Sequence, residues 1–359
     1  MRIPALAILA LSLLGGCAST PPLTPAQQAD ALMQRYTGAV PGASLLVVKD
    51  GRAVISRGYG MADLERHVAA TPATNYRLAS VTKQFIAAAV LLLAEDGKLS
   101  LDDSLRKWLP SLPESDAAIT LHEVLDHTSG LPEYEGRIPP GSSKQLDDED
   151  VLRMLSSTDE HYFAPGSKYR YSNAGYVLLG LVIERASGTS LQAFLAQRIF
   201  KPLHMTHTLM YVAGGGPEVS DRAYGYSEEN GTWVRTDQSP ASALRGDGGI
   251  YSSIDDMAKW DAALYDNRLL SDASRALAFG HQVEVSPGPP PQYYGFGWRL
   301  MGDVMWHSGE SIGFRNAIVR WPKQHLTVVV LSNRNDPTPH DLAISIGRLF
   351  QADAQAEPH

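Results

Sequence analysis

The sequence predicts an α/β protein of the α+β type, in which one antiparallel sheet is built from both ends of the chain and the middle is mostly helical. Near the N-terminus, the apolar runs 45–48 and 53–56 flank Asp50-Gly51, a dipeptide that favours the positive φ angles of a two-residue hairpin turn. Near the C-terminus, two more strand-like runs, 316–321 and 326–331, flank a proline-containing turn. We expect a cleft between the sheet and the helices, where small-molecule sites commonly lie.

Helical patterns fill the centre of the chain. Thr24-Pro25 supply a cap and a first-turn proline for an initial helix. Further helices are predicted at 83–95, 151–155, 174–186, 191–200, 254–265 and 341–351. The stretch from Phe85 to Ala94 is apolar on every side, which is typical of a fully buried helix. The residues just before it therefore lie at a helix N-terminus, which stabilises negative charge.

Composition excludes several kinds of partner and chemistry. The chain has 359 residues, 31 basic and 39 acidic side chains, and a formal net charge of −8. A broad phosphate-binding surface needs the opposite balance, so we expect no nucleic-acid partner. Cys17 is the only cysteine. This excludes an internal disulfide, a cysteine-rich zinc site and a cysteine nucleophile in the body of the protein.

Two clusters have some features of metal sites but lack the necessary spacing. His122-Glu123 and His127 follow the pattern His-Glu-x-x-x-His, one residue too long for both imidazoles to share a helix face. The acidic run 147–150 lacks the alternating ligands and the glycine of a calcium loop, and it favours a helix cap instead. We therefore expect no metal site and no cofactor.

The first residues are predicted to be an export signal. Arg2 and an apolar run precede Gly15-Gly16-Cys17, a pattern typical of a secretory signal peptide. Residues 14–17 also resemble a bacterial lipobox, in which the cysteine becomes the lipidated first residue; a plain signal peptide with an incidental cysteine is the alternative. If residues 14–17 are a lipobox, the protein is exported and held on a membrane by a lipid on Cys17. We expect the following divisions: signal peptide 1–16, lipidated tether 17–23, one domain 24–352 with a helical insert at about 100–245, and tail 353–359.

Ser80-Val81-Thr82-Lys83 stands at the start of the predicted buried helix. Residues three apart share a helix face, so the Lys83 amine can reach the Ser80 hydroxyl. A serine becomes a nucleophile when a nearby base accepts its proton, and a lysine can be that base where its surroundings favour the neutral amine. The same pattern recurs at Ser104 and Lys107, where preceding aspartates indicate a solvated turn. Ser80 is therefore the predicted nucleophile and Lys83 its base.

Tyr171-Ser172-Asn173 comes just before another apolar helix. A tyrosine near the lysine can relay the serine proton to the leaving group. The asparagine amide can orient the lysine or a substrate carbonyl. Taken alone, the segment is more typical of a buried tyrosine followed by an asparagine helix cap. Together with Ser80 and Lys83 it makes Tyr171 a candidate catalytic residue and Asn173 a candidate substrate-binding residue.

His307-Ser308-Gly309 is the third candidate element, and we expect it on an edge of the sheet. A positive charge on His307 could bind a substrate carboxylate, and Gly309 would let the substrate approach the backbone. The N–H of Glu310 could join that of Ser80 in an oxyanion hole. A lone histidine is more often structural, so this prediction depends on the other two motifs. His307, Ser308, Gly309 and Glu310 are the predicted substrate-binding residues of this strand.

In this order, the three motifs resemble those of the penicillin-recognising serine hydrolases, in the branch of class C β-lactamases, D-alanyl-D-alanine carboxypeptidases and related esterases. The resemblance runs from about Val40 to Phe350. It includes Tyr76-Arg77-Leu78-Ala79, His127-Thr128-Ser129-Gly130-Leu131, Gly248-Gly249-Ile250-Tyr251-Ser252 and Tyr294-Gly295-Phe296-Gly297-Trp298. It implies a β-lactamase/transpeptidase-like fold and an acyl-serine mechanism, with Ser80 as nucleophile, Lys83 as base and Tyr171 as proton shuttle. It also assigns Asn173 to substrate and lysine positioning and His307 to the carboxylate-facing strand.

The third motif departs from class C β-lactamases, which usually have Lys-Thr-Gly where this chain has His-Ser-Gly. Histidine is more similar to the peptidase and esterase members. The resemblance therefore implies a small peptide or ester as substrate, with a β-lactam turned over slowly, and we expect a monomer. The alternative is a non-catalytic lipoprotein that binds cell-wall peptides or penicillin. Such a protein is not expected to keep Ser80, Lys83 and Tyr171 together.

Overall fold

A computed structural model describes residues 22–352; the predicted signal peptide, Cys17 and the tail at 353–359 lie outside them. Its strands are β1 (Ala43–Lys49), β2 (Arg52–Tyr59), β3 (Met61–Asp63), β4 (Val68–Ala69), β5 (Tyr76–Arg77), β6 (Leu209–Met210), β7 (Tyr226–Glu229), β8 (Thr232–Arg235), β9 (Ile250–Ser252), β10 (Val283–Ser286), β11 (Gln292–Tyr294), β12 (Arg299–Met301), β13 (Val304–Ser311), β14 (Phe314–Trp321) and β15 (Leu326–Ser332). Its α-helices are α1 (Pro25–Leu32), α2 (Thr82–Glu95), α3 (Leu105–Trp108), α4 (Leu121–Leu125), α5 (Asp148–Ser156), α6 (Asn173–Ser187), α7 (Leu191–Leu195), α8 (Ile254–Ala263), α9 (Asp272–Ala278) and α10 (His340–Ala352).

Eight of these strands form one antiparallel sheet in the order β10-β11-β12-β13-β14-β15-β1-β2. β1 pairs with β15 along its whole length, from Ala43 opposite Ser332 to Lys49 opposite Leu326. The two ends of the described chain therefore meet inside one sheet, as predicted. The predicted hairpin also forms, because Asp50 and Gly51 have φ angles of 50° and 74° and so make the left-handed turn between β1 and β2.

Helices cover both faces of the sheet and create two apolar cores. The smaller core packs α1 and α10 against one face, around Tyr36 and Trp321. The larger core lies on the other face and contains α2 and α6. Every residue of α2 from Thr82 to Leu93 is buried, as its uniformly apolar sequence predicts. The helix that follows the candidate nucleophile is therefore fixed by packing on all sides.

The middle of the chain contains α5, α6 and α7, as predicted. It also contains two short helices, α3 and α4, and one hairpin that were not predicted. β7 and β8 pair with each other around Asn230-Gly231, whose φ angles are 52° and 79°. Asn-Gly favours the same turn as Asp-Gly, so the sequence carried a usable signal for this hairpin. The division into a domain and a helical insert stays a prediction. Over residues 22–352, none of the helices has the length and apolar character needed to cross a membrane.

A buried ion pair joins α8 to the sheet. The side chains of Arg320 on β14 and Asp261 on α8 are 1% and 2% exposed, and Nε lies 2.6 Å from Oδ1. Thr327 on β15 donates its hydroxyl to the same oxygen at 2.7 Å. Removing one partner of such a pair is costly because it leaves the other charge buried and uncompensated. The pair therefore holds α8 against the centre of the sheet.

The substitution Asp261→Ala should lower the free energy of unfolding by about 3–5 kcal/mol, because Arg320 loses its partner. Urea denaturation measures the change. The control is Asp303→Ala, which breaks an exposed ion pair in which Lys323 Nζ lies 2.6 Å from Asp303 Oδ1. That variant should lose no more than about 1 kcal/mol. Equal losses in the two variants would show that the buried pair does not hold α8 in place.

Candidate active site

Ser80 lies in a 3-10 turn, Ala79–Val81, that leads directly into α2. Ala79 has a φ of 48°, a left-handed value that costs a residue with a side chain roughly 1–2 kcal/mol. The N–H of Leu78 donates to the backbone oxygen of Ile250 at 2.8 Å and so ties this turn to β9. The half-buried Ser80 side chain consequently lines an open cleft instead of pointing into the core.

Lys83 is fully buried, and three oxygen atoms surround its amine. Nζ lies 3.0 Å from Ser80 Oγ, 2.8 Å from Asn173 Oδ1 and 3.0 Å from the backbone oxygen of Asp247. The two carbonyl oxygens can only accept hydrogen bonds, whereas the hydroxyl can also donate. A neutral amine has two N–H groups and one lone pair. If the N–H groups donate to the two carbonyls, the lone pair faces the Ser80 hydroxyl, as proton removal requires.

Asn173 connects the lysine to a carboxylate on the wall of the cleft. It is the first residue of α6, and Ser172 caps that helix by accepting from the N–H of Gly175 at 3.1 Å. The Asn173 side chain is therefore not used as a helix cap. Its Oδ1 accepts from Lys83, and its Nδ2 donates to Glu135 Oε1 at 2.7 Å. This geometry fits the predicted role of Asn173 in orienting the lysine.

Tyr171 lies beside Lys83, but it is the ring that faces the amine. Nζ is 4.9 Å from the centroid of the Tyr171 ring. The His127 and His307 rings lie 4.4 and 6.1 Å from the same ring, between centroids. The Tyr171 hydroxyl is buried and has no hydrogen-bond partner among residues 22–352. The structure thus brings the phenol to the lysine without bonding its hydroxyl to Ser80.

His307 lies on the predicted strand, where its surroundings disfavour the charged form. It is 2% exposed, and burial, together with the charge of Arg299, lowers its pKa to about 3. Its Nδ1 lies 2.6 Å from the backbone oxygen of Ser308, which can only accept, so Nδ1 carries the proton. Nε2 accepts from the Tyr294 hydroxyl at 3.1 Å. Burial and these contacts therefore favour the neutral imidazole, and the binding of a substrate carboxylate by a positive charge on His307 stays a prediction.

The second half of β13 forms a wall beside Ser80. The first residues of β13 pair with β12. Among the described strands, residues 307–311 pair only with β14. The predicted edge position therefore applies to residues 307–311 and not to the first half of the strand. A Cβ on Gly309 would lie 2.0 Å from the backbone oxygen of Leu78, so glycine is required for this close approach. Glu310 lines the cleft together with Ser80, and Ser308 is half-buried before it.

Sequence reasoning missed the part played by Asp247. The backbone oxygen of Asp247 accepts from Lys83, and its carboxyl group accepts from the Tyr134 hydroxyl at 2.7 Å. Burial raises the pKa of this carboxyl group. The sequence feature that could have indicated this position is the neighbouring Gly248. A Cβ on Gly248 would lie 3.4 Å from the Cα of Ala79, so this segment runs directly beside the turn that carries the serine.

The second Ser-x-x-Lys pattern does not contribute to this arrangement, whereas His127 packs against it. Ser104 donates its hydroxyl to a backbone oxygen at 2.8 Å, and Lys107 binds Asp103 at 2.7 Å. His127 accepts from the N–H of Ser172 at 3.1 Å, a structural contact. Within the described part of the chain, no three His, Cys, Asp or Glu side chains lie close enough to hold a metal ion.

The cleft beside Ser80 is open and has a volume of about 170 Å³, below the roughly 300–1,000 Å³ of sites for drug-sized ligands. Asn173 and Glu135 line one part of it, and Leu244 and Ile312 supply apolar surface. A group of modest size, with both polar and apolar parts, can therefore lie against the serine.

Two comparisons of sequence agree with the motifs. The Beta-lactamase family model matches residues 27–352. Penicillin-binding protein 4* of Bacillus subtilis is 33% identical to this chain over 319 residues, which is 84% of the chain and 70% of that protein. The similarity therefore covers the site and nearly all of the fold described above.

Solved structures confirm the predicted fold. The octameric penicillin-binding protein homologue from Pyrococcus abyssi has a TM-score of 0.79 and 27% identity, covering 93% of this chain and 77% of that one. D-amino acid amidase from Ochrobactrum anthropi SV3 has a TM-score of 0.76 and 26% identity, and the match covers 92% of this chain and 99% of the amidase chain. Because the first protein is an octamer, the likeness does not support a monomer, which stays a prediction. The chain belongs to the β-lactamase family, the penicillin-recognising serine hydrolases with a β-lactamase/transpeptidase-like fold.

Proposed function

We propose that this chain hydrolyses an amide or an ester through an acyl-serine intermediate on Ser80, with Lys83 as the base. The observation that supports this most is the position of the lysine amine, 3.0 Å from Ser80 Oγ, with two carbonyl oxygens to accept its N–H groups. A buried amine is costly unless it is fully hydrogen-bonded. Here the bonds that satisfy it also direct it at a hydroxyl in an open cleft.

In the first step, Lys83 accepts the Ser80 proton as Oγ forms a bond to the substrate carbonyl carbon. The carbonyl π electrons move to oxygen, and the N–H groups of Ser80 and Glu310 stabilise the resulting oxyanion. When the oxyanion collapses, the C–N or C–O bond breaks, and the leaving group receives the proton from Lys83 through the Tyr171 hydroxyl. Water then attacks the acyl-serine ester with the same groups, which releases the acid and restores Ser80.

The proposed substrate is a small peptide or a small ester, and a β-lactam is a poorer one. The third motif supports this order, because His307-Ser308-Gly309 is more similar to the motif of peptidase and esterase members than to the Lys-Thr-Gly usual in class C β-lactamases. Similarity to a D-amino acid amidase supports an amide as one possible bond. On this proposal, a short p-nitrophenyl ester or a D-Ala-D-Ala peptide is turned over faster than nitrocefin.

A fluorophosphonate probe and a fluorescent penicillin should both label wild-type protein at Ser80, because each reacts with an activated serine. The variant Ser80→Ala should lose the label. Ser104→Ala, in the other Ser-x-x-Lys pattern, is the matched control and should keep it. Intact mass spectrometry and peptide mapping locate the adduct. The same adduct on Ser80→Ala at wild-type yield would remove Ser80 from its proposed role.

We further propose that a lipid on Cys17 anchors the protein to a membrane after export. The proposal rests on the lipobox-like residues 14–17, which lie outside the described structure. Cys17→Ser should transfer the protein from the washed membrane fraction to the soluble fraction, because the acyl chains can no longer be attached. Fractionation followed by immunoblotting measures the distribution. Unchanged membrane association of the variant would contradict a lipid anchor at this residue.

A further inference from the structure

Glu310 brings a carboxylate to the mouth of the cleft that holds Ser80. It lies on β13 and lines the cleft together with Ser80, and its side chain is 54% exposed. In the proposed mechanism, the backbone N–H of the same residue stabilises the oxyanion. The reacting carbonyl is therefore held beside Glu310, and the charge of this side chain lies close to the groups attached to that carbonyl.

Within residues 22–352, the ion pair that Glu310 makes is a loose contact with Arg315. Arg315 Nε lies 3.6 Å from Glu310 Oε2, which is too long for a hydrogen bond. Arg315 Nη1 instead donates to the backbone oxygens of Ser311 and Phe314, at 2.8 and 2.9 Å. An exposed ion pair of this kind is weak, and salt screens it. The charge of Glu310 is therefore only partly compensated by its neighbour.

The basic side chains around the cleft, in the described part of the chain, are engaged in other contacts. Arg77 lines the cleft, but it is 2% exposed and donates to the backbone oxygen of Ser242 at 2.6 Å. Lys83 is fully buried, and its amine contacts the three oxygen atoms described above. The guanidinium carbon of Arg299 lies 5.6 Å from the centroid of the Tyr171 ring, and this arginine is not among the residues that line the cleft. The described wall of the cleft therefore offers no free cation to a negatively charged group.

We infer that Glu310 is a specificity-determining residue that disfavours leaving groups bearing a carboxylate. The inference rests on the proposed acyl transfer at Ser80. In that mechanism the leaving group takes its proton from the Tyr171 hydroxyl, and the Tyr171 ring lies 6.1 Å from the ring of His307 on β13, between centroids. The leaving group is therefore held next to the strand that carries Glu310.

The position of a leaving-group carboxylate follows from bond lengths. In a peptide that ends in a free acid, the terminal carboxyl carbon lies no more than about 4.3 Å from the reacting carbonyl carbon. Binding such a substrate brings two negative charges together. At a separation of about 7 Å, their repulsion changes a rate constant by roughly threefold to fiftyfold, for an effective dielectric constant between that of a protein surface and that of water. The substrate class is accordingly an ester or an amide whose leaving group is neutral or positively charged.

The test compares three acetate esters that share the acyl group and differ in the charge of the leaving group. They are 3-acetoxybenzoate, 3-acetoxybenzamide and 3-acetoxyphenyltrimethylammonium, the carboxylate, carboxamide and cationic esters. Each kcat/KM is divided by the rate constant for hydrolysis of the same ester by imidazole, a neutral nucleophile, which corrects for the acidity of the leaving group. Wild type should disfavour the carboxylate ester roughly threefold to fiftyfold relative to the carboxamide ester. The cationic ester should react at least as well as the carboxamide ester.

In Glu310→Gln, which keeps the shape of the side chain and removes its charge, the carboxylate ester should gain on the carboxamide ester by the same factor. Glu310→Asp keeps the charge and should retain most of the preference. Added NaCl should raise the relative turnover of the carboxylate ester by wild type and change it little in Glu310→Gln, because salt screens the charge. The salt dependence of wild type needs no variant, so it tests the inference even if Glu310→Gln fails to fold.

The control variant is Glu284→Gln, which removes the same charge from an exposed position on β10 outside the cleft. It should keep the wild-type preference. Ser80-dependent turnover of the carboxamide ester, combined with equal turnover of the carboxylate ester or with an unchanged preference in Glu310→Gln, would overturn the role of Glu310 while leaving the proposed function standing. Absence of Ser80-dependent turnover of all three esters would overturn the proposed function, and the inference with it.

Discussion

The contact between the Lys83 amine and three oxygen atoms is the interaction on which the site depends. Each oxygen comes from a different part of the chain: Ser80 from the turn before α2, Asn173 from the start of α6, and Asp247 from the segment before β9. A buried polar group without a partner costs roughly 1–3 kcal/mol, and more if it is charged. Satisfying the amine therefore holds the three segments together. The same contact supplies the proposed base of the serine.

The surrounding fold makes this contact rigid. α2 is buried along most of its length and cannot shift without opening the larger core. Gly309 brings β13 against the backbone oxygen of Leu78, immediately before the turn that carries the serine. Lys83 and Asp247 are 164 residues apart in sequence, yet they meet at hydrogen-bond distance because sheet and helices pack around them. Precise positioning of this kind requires a packed scaffold around the reacting groups.

Features fixed by neighbouring residues could be predicted from the sequence, whereas those fixed by long-range packing could not. The turn at Asp50-Gly51, the burial of α2 and the spacing of the serine and lysine are all local. The hairpin at Asn230-Gly231 has an equally local signal and was missed. The preference of His307 for the neutral form depends on burial in the assembled sheet. The bond between Glu135 and Asn173 depends on a loop whose sequence has no periodic pattern, so its position follows only from the folded structure.

The most direct measurement is the pre-steady-state rate of acylation by a chromogenic ester in Lys83→Ala, beside wild type and the matched control Lys107→Ala. If the amine is the base for the serine, removing it should slow acylation by about 10²–10⁴-fold, the usual contribution of a positioned base. The control should acylate at the wild-type rate, and circular dichroism should show all three proteins folded. A folded Lys83→Ala variant that acylates as fast as wild type would contradict the account.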